Sequence, residues 1–268
     1  MCTKALQLGD VDEAFAYNLK DVDPYTLSQH KQLFGNTRTF GFLAKDYFLR
    51  KAAHRYPEGT VIIWLDSDIA LHSLKIFGCL AQNSPKGVAG FHTQSFLEKW
   101  FTKRDTLLDF NMDNTLVRNT VQSYGGILSF VVSNYTRALM DELFRESSNP
   151  QHMLRNLPSV RKPEHKAFWS DKEDQSIWSL MLKRERLKTY PLPDSSRDHS
   201  DVASIAAGYC EVGVNSHAIS LWENKDDTHR AVDPSKKVPQ IHREGEGAQG
   251  EWQVAFLWHW INFNHTSK

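Results

Sequence analysis

Two carboxylates separated by one residue follow the most apolar short run of the chain. The run from Thr60 to Leu65 reads Thr-Val-Ile-Ile-Trp-Leu, and Asp66-Ser67-Asp68 comes directly after it. Ligands of open α/β sheets gather just beyond the carboxyl ends of the strands, and carboxylate oxygens are ligands that Mg²⁺ and Mn²⁺ prefer. The pattern therefore predicts a cation at Asp66 and Asp68 that neutralises a departing diphosphate. The alternative is that both carboxylates only form a turn or cap a helix.

Three segments of the chain together resemble one enzyme family. Trp64-Leu65-Asp66-Ser67-Asp68 resembles the DxD element of the GT-A glycosyltransferases, which use a nucleotide-sugar donor. Tyr124-Gly125-Gly126-Ile127-Leu128-Ser129-Phe130 lies where many of these enzymes have an Asn-x-Gly strand lining the sugar pocket. Glu173-Asp174-Gln175 opens a helix as their acidic "DQ" element does. The order and spacing of the three motifs also fit, over about the middle half of the chain.

The resemblance implies a set of site residues. Asp66, Ser67, Asp68, Gly125 and Gly126 would contact the nucleotide-sugar and its Mn²⁺ or Mg²⁺ ion. Basic groups before the DxD strand would contact the donor phosphates, which points to Lys45 and Arg38. An arginine fork or a lysine point charge suits a diphosphate. A solvated helix face is the alternative for both side chains.

Asp174 and Gln175 are the candidate catalytic residues. A helix N-terminus beneath a pocket fixes its first-turn side chains. A carboxylate there can bind sugar hydroxyls, orient the acceptor or stabilise positive charge at the anomeric carbon. The alternative is an ordinary helix start whose acidic residues match the helix dipole.

The resemblance also implies a third metal ligand, usually a histidine in a His-x-x-Gly setting. His242-Arg243-Glu244-Gly245 has this form, so His242 is the candidate, with His217 and His259 as rivals among twelve histidines. The Lys-Pro-Trp ending of the family is missing. Aromatic side chains that could stack on sugar faces, or only pack the core, are Trp100, Phe101, Trp169, Trp178, Trp258 and Trp260.

The elements that would position these residues follow from hydrophobic periodicity. Leu49, Ala52, Ala53 and Tyr56 form a helical stripe within a predicted helix over 39–56, with Lys45 and Asp46 on other faces. The predicted elements that follow are strands over 60–65, 126–132 and 187–192 and helices over 135–145 and 174–186, with an irregular connection over 149–166 and loops over 226–250. Ser133-Asn134 is the predicted turn and N-cap of the helix over 135–145.

This alternation predicts an α/β fold. The resemblance implies a GT-A-like α/β/α sandwich with a central, mostly parallel sheet, and a strand that is apolar on both faces, such as 60–65, is typical of such a sheet. The whole chain, 1–268, would form a single domain. The first strand, which holds the nucleotide base in this family, has only weak candidates at Ala5–Leu8 and Ala14–Leu19.

Composition excludes several classes of function. The chain of 268 residues carries 32 basic and 32 acidic side chains, which leaves no basic footprint for nucleic acid. No apolar run approaches the roughly 20 residues that span a bilayer. Three cysteines do not suggest a disulfide framework. The chain begins without the pattern of a signal peptide. We therefore expect the protein either in the cytoplasm or, with an anchor missing from this chain, in the Golgi lumen.

The sequence thus predicts a metal-dependent glycosyltransferase, of the retaining type, that moves a sugar from a nucleotide-diphosphate donor to a hydroxyl of a glycan, protein or small molecule. A non-catalytic member of the same fold that binds a nucleotide-sugar or a glycan is the first alternative. The second is a phosphatase with an aspartyl nucleophile in a DxDxT motif, although Ala70 stands at the Thr position.

Overall fold

The computed structural model describes residues 10–17, 19–36, 40–66, 69–71, 73–192, 219–221 and 254–259. The strands are β1 (Glu13–Tyr17), β2 (Val61–Leu65), β3 (Ile69–Leu71), β4 (Val88–Leu97), β5 (Val121–Ser123), β6 (Ile127–Val131), β7 (Thr189–Pro191), β8 (Ile219–Leu221) and β9 (Val254–His259). Together with the helices, they form an α/β fold, as the sequence predicted.

The helices differ greatly in length. They are α1 (Pro24–Gln29), α2 (Lys31–Phe34), α3 (Phe40–Arg55), α4 (Lys75–Asn83), α5 (Glu98–Phe101), α6 (Arg104–Asp109), α7 (Thr115–Arg118), α8 (Asn134–Ser147), α9 (Pro150–Met153) and α10 (Glu173–Arg184). Within the described ranges, no helix is both long and apolar enough to cross a membrane.

The main sheet has the strand order β1-β9-β2-β6-β4-β5, with β7 paired to β4, and β3 pairs with β8 separately. Among these pairs, only β4 with β7 is parallel, and the others are antiparallel. The prediction of a mostly parallel sheet is therefore wrong. Burial of β2 on both faces suggested parallel strands, but burial reports the layers above and below a strand and not the direction of its neighbours.

Helices cover both faces of β2, and this explains why all five of its residues are buried. Ile63 lies opposite Ser129 of β6, and the Ser129 hydroxyl donates to the Phe77 carbonyl of α4 at 2.8 Å. This face of the sheet therefore packs on α4. Trp64 points to the other face, where α3 lies and where α8 packs against α3.

Most of the predicted elements are confirmed with small shifts of their ends. The helix over 39–56 is α3, the strands over 60–65 and 126–132 are β2 and β6, and the helix over 174–186 is α10. Ser133 caps α8 as predicted, and its hydroxyl accepts a hydrogen bond from the Thr136 amide in a capping box. The connection over 149–166 is irregular except for α9.

The N-terminal part of the chain contributes an edge strand. β1 overlaps the candidate segment Ala14–Leu19 and pairs with β9, whereas Ala5–Leu8 lies outside the described residues. The predicted loops over 226–250 lie outside them as well. Cys79 of α4 is disulfide-bonded, and the other cysteines of the chain, Cys2 and Cys210, are not among the described residues.

Candidate functional site

Asp66 lies at the carboxyl end of β2, on the face of the sheet that α3 covers. Its backbone amide donates to the Gly126 carbonyl at 2.9 Å, and its Oδ1 accepts a hydrogen bond from the Trp64 indole at 2.8 Å. The side chain remains 33% exposed. The strand end and the indole therefore hold a carboxylate that solvent can still reach.

The ammonium group of Lys45 joins Asp66 to two distant segments. Lys45 lies in α3 with its side chain 4% exposed, and its Nζ is 3.9 Å from Asp66 Oδ1. The same group donates to the Gly125 carbonyl at 2.8 Å and forms a close ion pair with Asp174. The alternative of a solvated helix face does not hold for Lys45, because its side chain is 4% exposed, whereas its predicted contact with the donor phosphates stays a prediction.

Asp174 occupies the first turn of α10, as predicted, and its side chain is 5% exposed. The preceding residue, Glu173, has a φ of 44°, a left-handed conformation that is strained for a side chain of this size. Arg155 holds the Glu173 carboxylate through a hydrogen bond of 2.6 Å. This contact fixes the turn that presents Asp174 to Lys45.

The glycine pair allows α10 to approach the sheet closely. A Cβ atom on Gly125 would lie 2.8 Å from Cβ and 3.0 Å from Cα of Gln175, which is closer than side-chain atoms pack. In the space that glycine leaves, the Gly125 amide donates to Gln175 Oε1 at 3.2 Å. Gly126 has a similar constraint, because its Cβ would lie 2.6 Å from the Tyr124 ring.

Burial and neighbouring charges set the protonation of this cluster. Burial by itself lowers the pKa of Lys45, but the charges of Asp174 and Asp66 outweigh it, so the net effect raises the pKa of this lysine. Burial, reinforced by the charge of Asp174, raises the pKa of Asp46 well above its usual value. Lys45 is thus held as a cation, and Asp46 favours its neutral form.

Asp174 experiences two opposing effects. Burial raises the pKa of its carboxyl group, and the Lys45 ammonium counters part of that rise. The charge of Asp66 acts in the same direction as burial. The ion pair is therefore what allows a carboxylate at this depth in the protein.

The predicted site residues divide into two groups. Lys45, Asp66, Gly125, Asp174 and Gln175 meet at one place, with Gly126 beside them. Arg38, Ser67, Asp68 and His242 lie outside the described residues, as do the rival His217 and the aromatic Trp260. His259 and Trp258 belong to β9, and only their backbone is described.

The aromatic candidates differ in exposure. Trp178 is buried at 2% exposure and belongs to the core, and Phe101 is 7% exposed. Trp169 is 49% exposed, and its ring lies 5.8 Å from that of Phe101. Trp100 accepts the backbone hydrogen bonds of Trp169 and Ser170 through its carbonyl oxygen. Trp169 is thus an exposed ring on a backbone that is held in place.

Sequence reasoning missed two polar residues around the cluster. Asp46 is 1% exposed and follows Lys45 in α3, where periodicity alone put it on an outer face. Gln122 of β5 is fully buried. Its NH₂ group donates to the Thr102 hydroxyl, and its carbonyl oxygen accepts from Gln175. The position of Gln122, two residues before Tyr124-Gly125-Gly126 in a short strand, could have indicated its place in the site.

The fit of a divalent cation is partial. Asp66 offers a hard oxygen ligand that solvent reaches, which suits Mg²⁺ or Mn²⁺. Asp174 is already paired with Lys45 and enclosed. Within the part of the chain that the structure describes, no three His, Cys, Asp or Glu side chains group as a metal site would require. Further ligands would have to come from the predicted Asp68 and His242.

Comparisons of the chain with protein-family models, with curated proteins and with solved structures give no match.

Another buried carboxyl group lies just before α10. Asp171 is 1% exposed, its Oδ1 lies 3.3 Å from the Ser176 hydroxyl oxygen, and its Oδ2 has no hydrogen-bond partner. Burial, together with the charge of Glu173, raises the pKa of Asp171 to about 8. Folding therefore favours the protonated form of this carboxyl over a wide pH range.

The close approach at Gly125 predicts a strong effect of one methyl group. Gly125→Ala should destabilise the protein by about 1–3 kcal/mol, because α10 must shift to accept the new Cβ. Gly41→Ala in α3 is the matched control, since a Cβ there meets nothing within 4 Å and alanine favours a helix. Urea unfolding measures both free energies. Equal stability of the two variants would contradict the close packing.

Asp171 predicts a pH dependence with a definite sign. Its pKa is higher in the folded than in the unfolded chain, so the folded protein binds more protons and its free energy of unfolding falls as pH rises from about 4 to about 8. In the Asp171→Asn variant, the side chain at this position does not titrate. The stability of the wild type relative to this variant should therefore fall by a few kcal/mol over this range, as urea unfolding at several pH values would measure.

Glu142→Gln is the control for this titration. Although burial opposes the shift, Arg184 and Arg145 lower the pKa of Glu142, so this carboxylate stays ionised between pH 5 and 8. Between pH 5 and 8, this control should parallel the wild type. A parallel profile for Asp171→Asn as well would show that Asp171 is already ionised there.

Proposed function

We propose that this protein is a metal-dependent glycosyltransferase that moves a sugar from a nucleotide-diphosphate donor to an acceptor hydroxyl. We also propose that its helices and sheet form a GT-A-like α/β/α sandwich, in this case around an antiparallel sheet. The observation that carries the proposal is the meeting of the three motifs at Lys45. Its ammonium group contacts Asp66, Gly125 and Asp174, which lie in three separate parts of the sequence.

The exposure of Asp66 at a strand end supports this chemistry. Asp66 is reachable by solvent at a strand end, where a phosphate-bound cation could approach. When bound, Mn²⁺ or Mg²⁺ would neutralise the charge that develops on the departing diphosphate. Asp66 would hold this ion together with the predicted ligands Asp68 and His242, and Ser67 would lie beside the donor.

Lys45 and Asp174 would act on the sugar and the phosphates as a pair. The Lys45 ammonium supplies a fixed positive charge beside Asp66, in surroundings where water does not screen it. Asp174 would stabilise positive charge at the anomeric carbon or accept hydrogen bonds from sugar hydroxyls. Arg38 remains a further predicted contact for the donor phosphates.

The transfer can be written with its electrons balanced. The bond between the anomeric carbon and the phosphate oxygen breaks, and its electron pair leaves on the nucleoside diphosphate. The acceptor oxygen bonds to the carbon, and its hydroxyl proton goes to the departing phosphate oxygen on the same face of the sugar. Retention of configuration is part of the proposal, because the Gly125-Gly126 strand and the Asp174-Gln175 helix start resemble those of retaining families.

One observation favours a second candidate, a non-catalytic protein that binds a nucleotide-sugar or a glycan. Among the described charged side chains of the cluster, Lys45 and Asp174 are almost fully enclosed, and only Asp66 is exposed by as much as a third. A ligand could therefore bind at Asp66 without reaching Asp174. Binding of a nucleotide diphosphate without turnover of any donor would select this candidate.

The test is Mn²⁺-dependent hydrolysis of nucleotide-sugars by the wild type and by Asp66→Ala and Asp68→Ala. We expect the wild type to hydrolyse one class of donor, chelation to stop the reaction, and each substitution to lower the rate by at least about a hundredfold, as expected for loss of transition-state charge stabilisation. Asp141→Ala is the control, because Asp141 is an exposed carboxylate that pairs with Arg50 and His54.

Wild-type rates in both Asp66→Ala and Asp68→Ala would overturn the assignment. Retention of binding in the wild type, measured by calorimetry with nucleotide diphosphates and Mn²⁺, combined with no hydrolysis of any donor, would replace the enzyme with the binding protein.

A further inference from the structure

Gln122 lies at the centre of a buried polar cluster between β5, α5 and α10. Its Nε2 is 2.8 Å from Thr102 Oγ1, 3.2 Å from Ser176 Oγ and 3.3 Å from Glu98 Oε2. Its Oε1 accepts a hydrogen bond from Gln175 Nε2 at 2.8 Å. The side chain is fully buried, so water does not compete for these contacts.

The chemistry of the neighbours determines which way the Gln122 amide faces. The Thr102 hydroxyl donates its hydrogen to Glu98, and the Ser176 hydroxyl donates to the Phe101 carbonyl at 2.7 Å. Both hydroxyl oxygens, and the Glu98 carboxylate, can then only accept from Gln122. The amide NH₂ must face them, and the carbonyl oxygen must face Gln175.

The orientation of Gln175 follows from that of Gln122. Because Gln122 presents an oxygen, Gln175 must present its NH₂ to it and direct its own Oε1 to the Gly125 amide, 3.2 Å away. If the Gln175 amide were flipped, its oxygen would face the Gln122 oxygen and its NH₂ would face the Gly125 amide, so both hydrogen bonds would be lost. The Gly125 carbonyl in turn accepts from Lys45 at 2.8 Å.

Donors in this chain of hydrogen bonds all point the same way, from Lys45 towards Glu98. The far end is charge-balanced, because Lys183 forms a close ion pair with Glu98 and the Ser179 hydroxyl donates to Glu98 at 2.6 Å. Hydrogen bonds that run in one direction in a low-dielectric interior polarise and strengthen one another.

We propose that Gln122 is a positioning residue of the site. It fixes the amide of Gln175, and through it the Gly125 backbone against which the Lys45 ammonium is placed. This proposal rests on the proposed function where it treats these residues as a site, but the hydrogen bonds themselves do not depend on that function. Gln175 accordingly holds Gly125, and both ends of its amide are hydrogen-bonded within the protein.

Amide hydrogen exchange of the full chain, resolved by residue with NMR, tests this proposal. Gln175→Met removes the acceptor of the Gly125 amide directly, and Gln122→Met removes the group that orients Gln175. We expect both variants to lower the protection of the Gly125 amide about tenfold, the effect of losing one ordinary hydrogen bond. The Ser123 amide, held by Ser179 at 2.8 Å, is an internal reference that should change less than twofold.

Ser129→Ala is the matched control, because Ser129 is equally buried in the same sheet and donates to the Phe77 carbonyl on the opposite face. It should leave the ratio of Gly125 to Ser123 protection unchanged. If Gln122→Met does not fold, Thr102→Val removes the acceptor nearest to Gln122 Nε2 and should lower Gly125 protection about threefold.

Unchanged Gly125 protection in either Met variant, or in the valine variant, overturns the proposal. So does an equal loss at Gly125 and Ser123, because that result shows a general loosening of β5. Sugar transfer is not measured in this experiment, so a failed glycosyltransferase assay and a failed exchange experiment are separate outcomes.

Discussion

The buried ammonium group of Lys45 is the interaction on which the rest of the candidate site depends. Removing a charge from water costs several kcal/mol even after the protein relaxes. Here the cost is offset by a carboxylate from α10, a second carboxylate from the end of β2 and a backbone carbonyl. Removal of one partner from such a buried pair typically costs about 3–5 kcal/mol. The three segments are therefore tied to one another through a single atom of α3.

This arrangement requires unusual local backbone on either side. Gly125 has no side chain because α10 lies where its Cβ would be, and Glu173 adopts a positive φ so that Asp174 can turn towards Lys45. Arg155 and the buried amides of Gln122 and Gln175 hold these conformations in place. Strain of this kind persists only where surrounding contacts over-determine it, and it is concentrated at the point where the motifs meet.

Much of the fold and part of the site could be predicted from sequence, and particular residues show why the remainder could not. The strand before Asp66 and the helix that begins near Asp174 follow from local apolar patterns. Sheet direction does not, because β2 is buried by α3 and α4 whichever way its neighbours run. Lys45 was ambiguous, since an apolar stripe identifies one face of α3 and does not reveal that a second face is covered as well. The orientation of Gln122 depends on hydroxyl partners from three other segments, which no local pattern encodes.

We propose that Asp66 and Lys45 receive the diphosphate of a nucleotide-sugar together with a divalent cation. An anomalous-difference map from crystals soaked with Mn²⁺ and a nucleoside diphosphate tests it most directly, because it locates the ion without assuming any activity. We expect one Mn²⁺ ion bonded to an Asp66 oxygen, with the diphosphate between that ion and Lys45. An ion and a diphosphate bound together elsewhere, with Asp66 and Lys45 free of both, would contradict it.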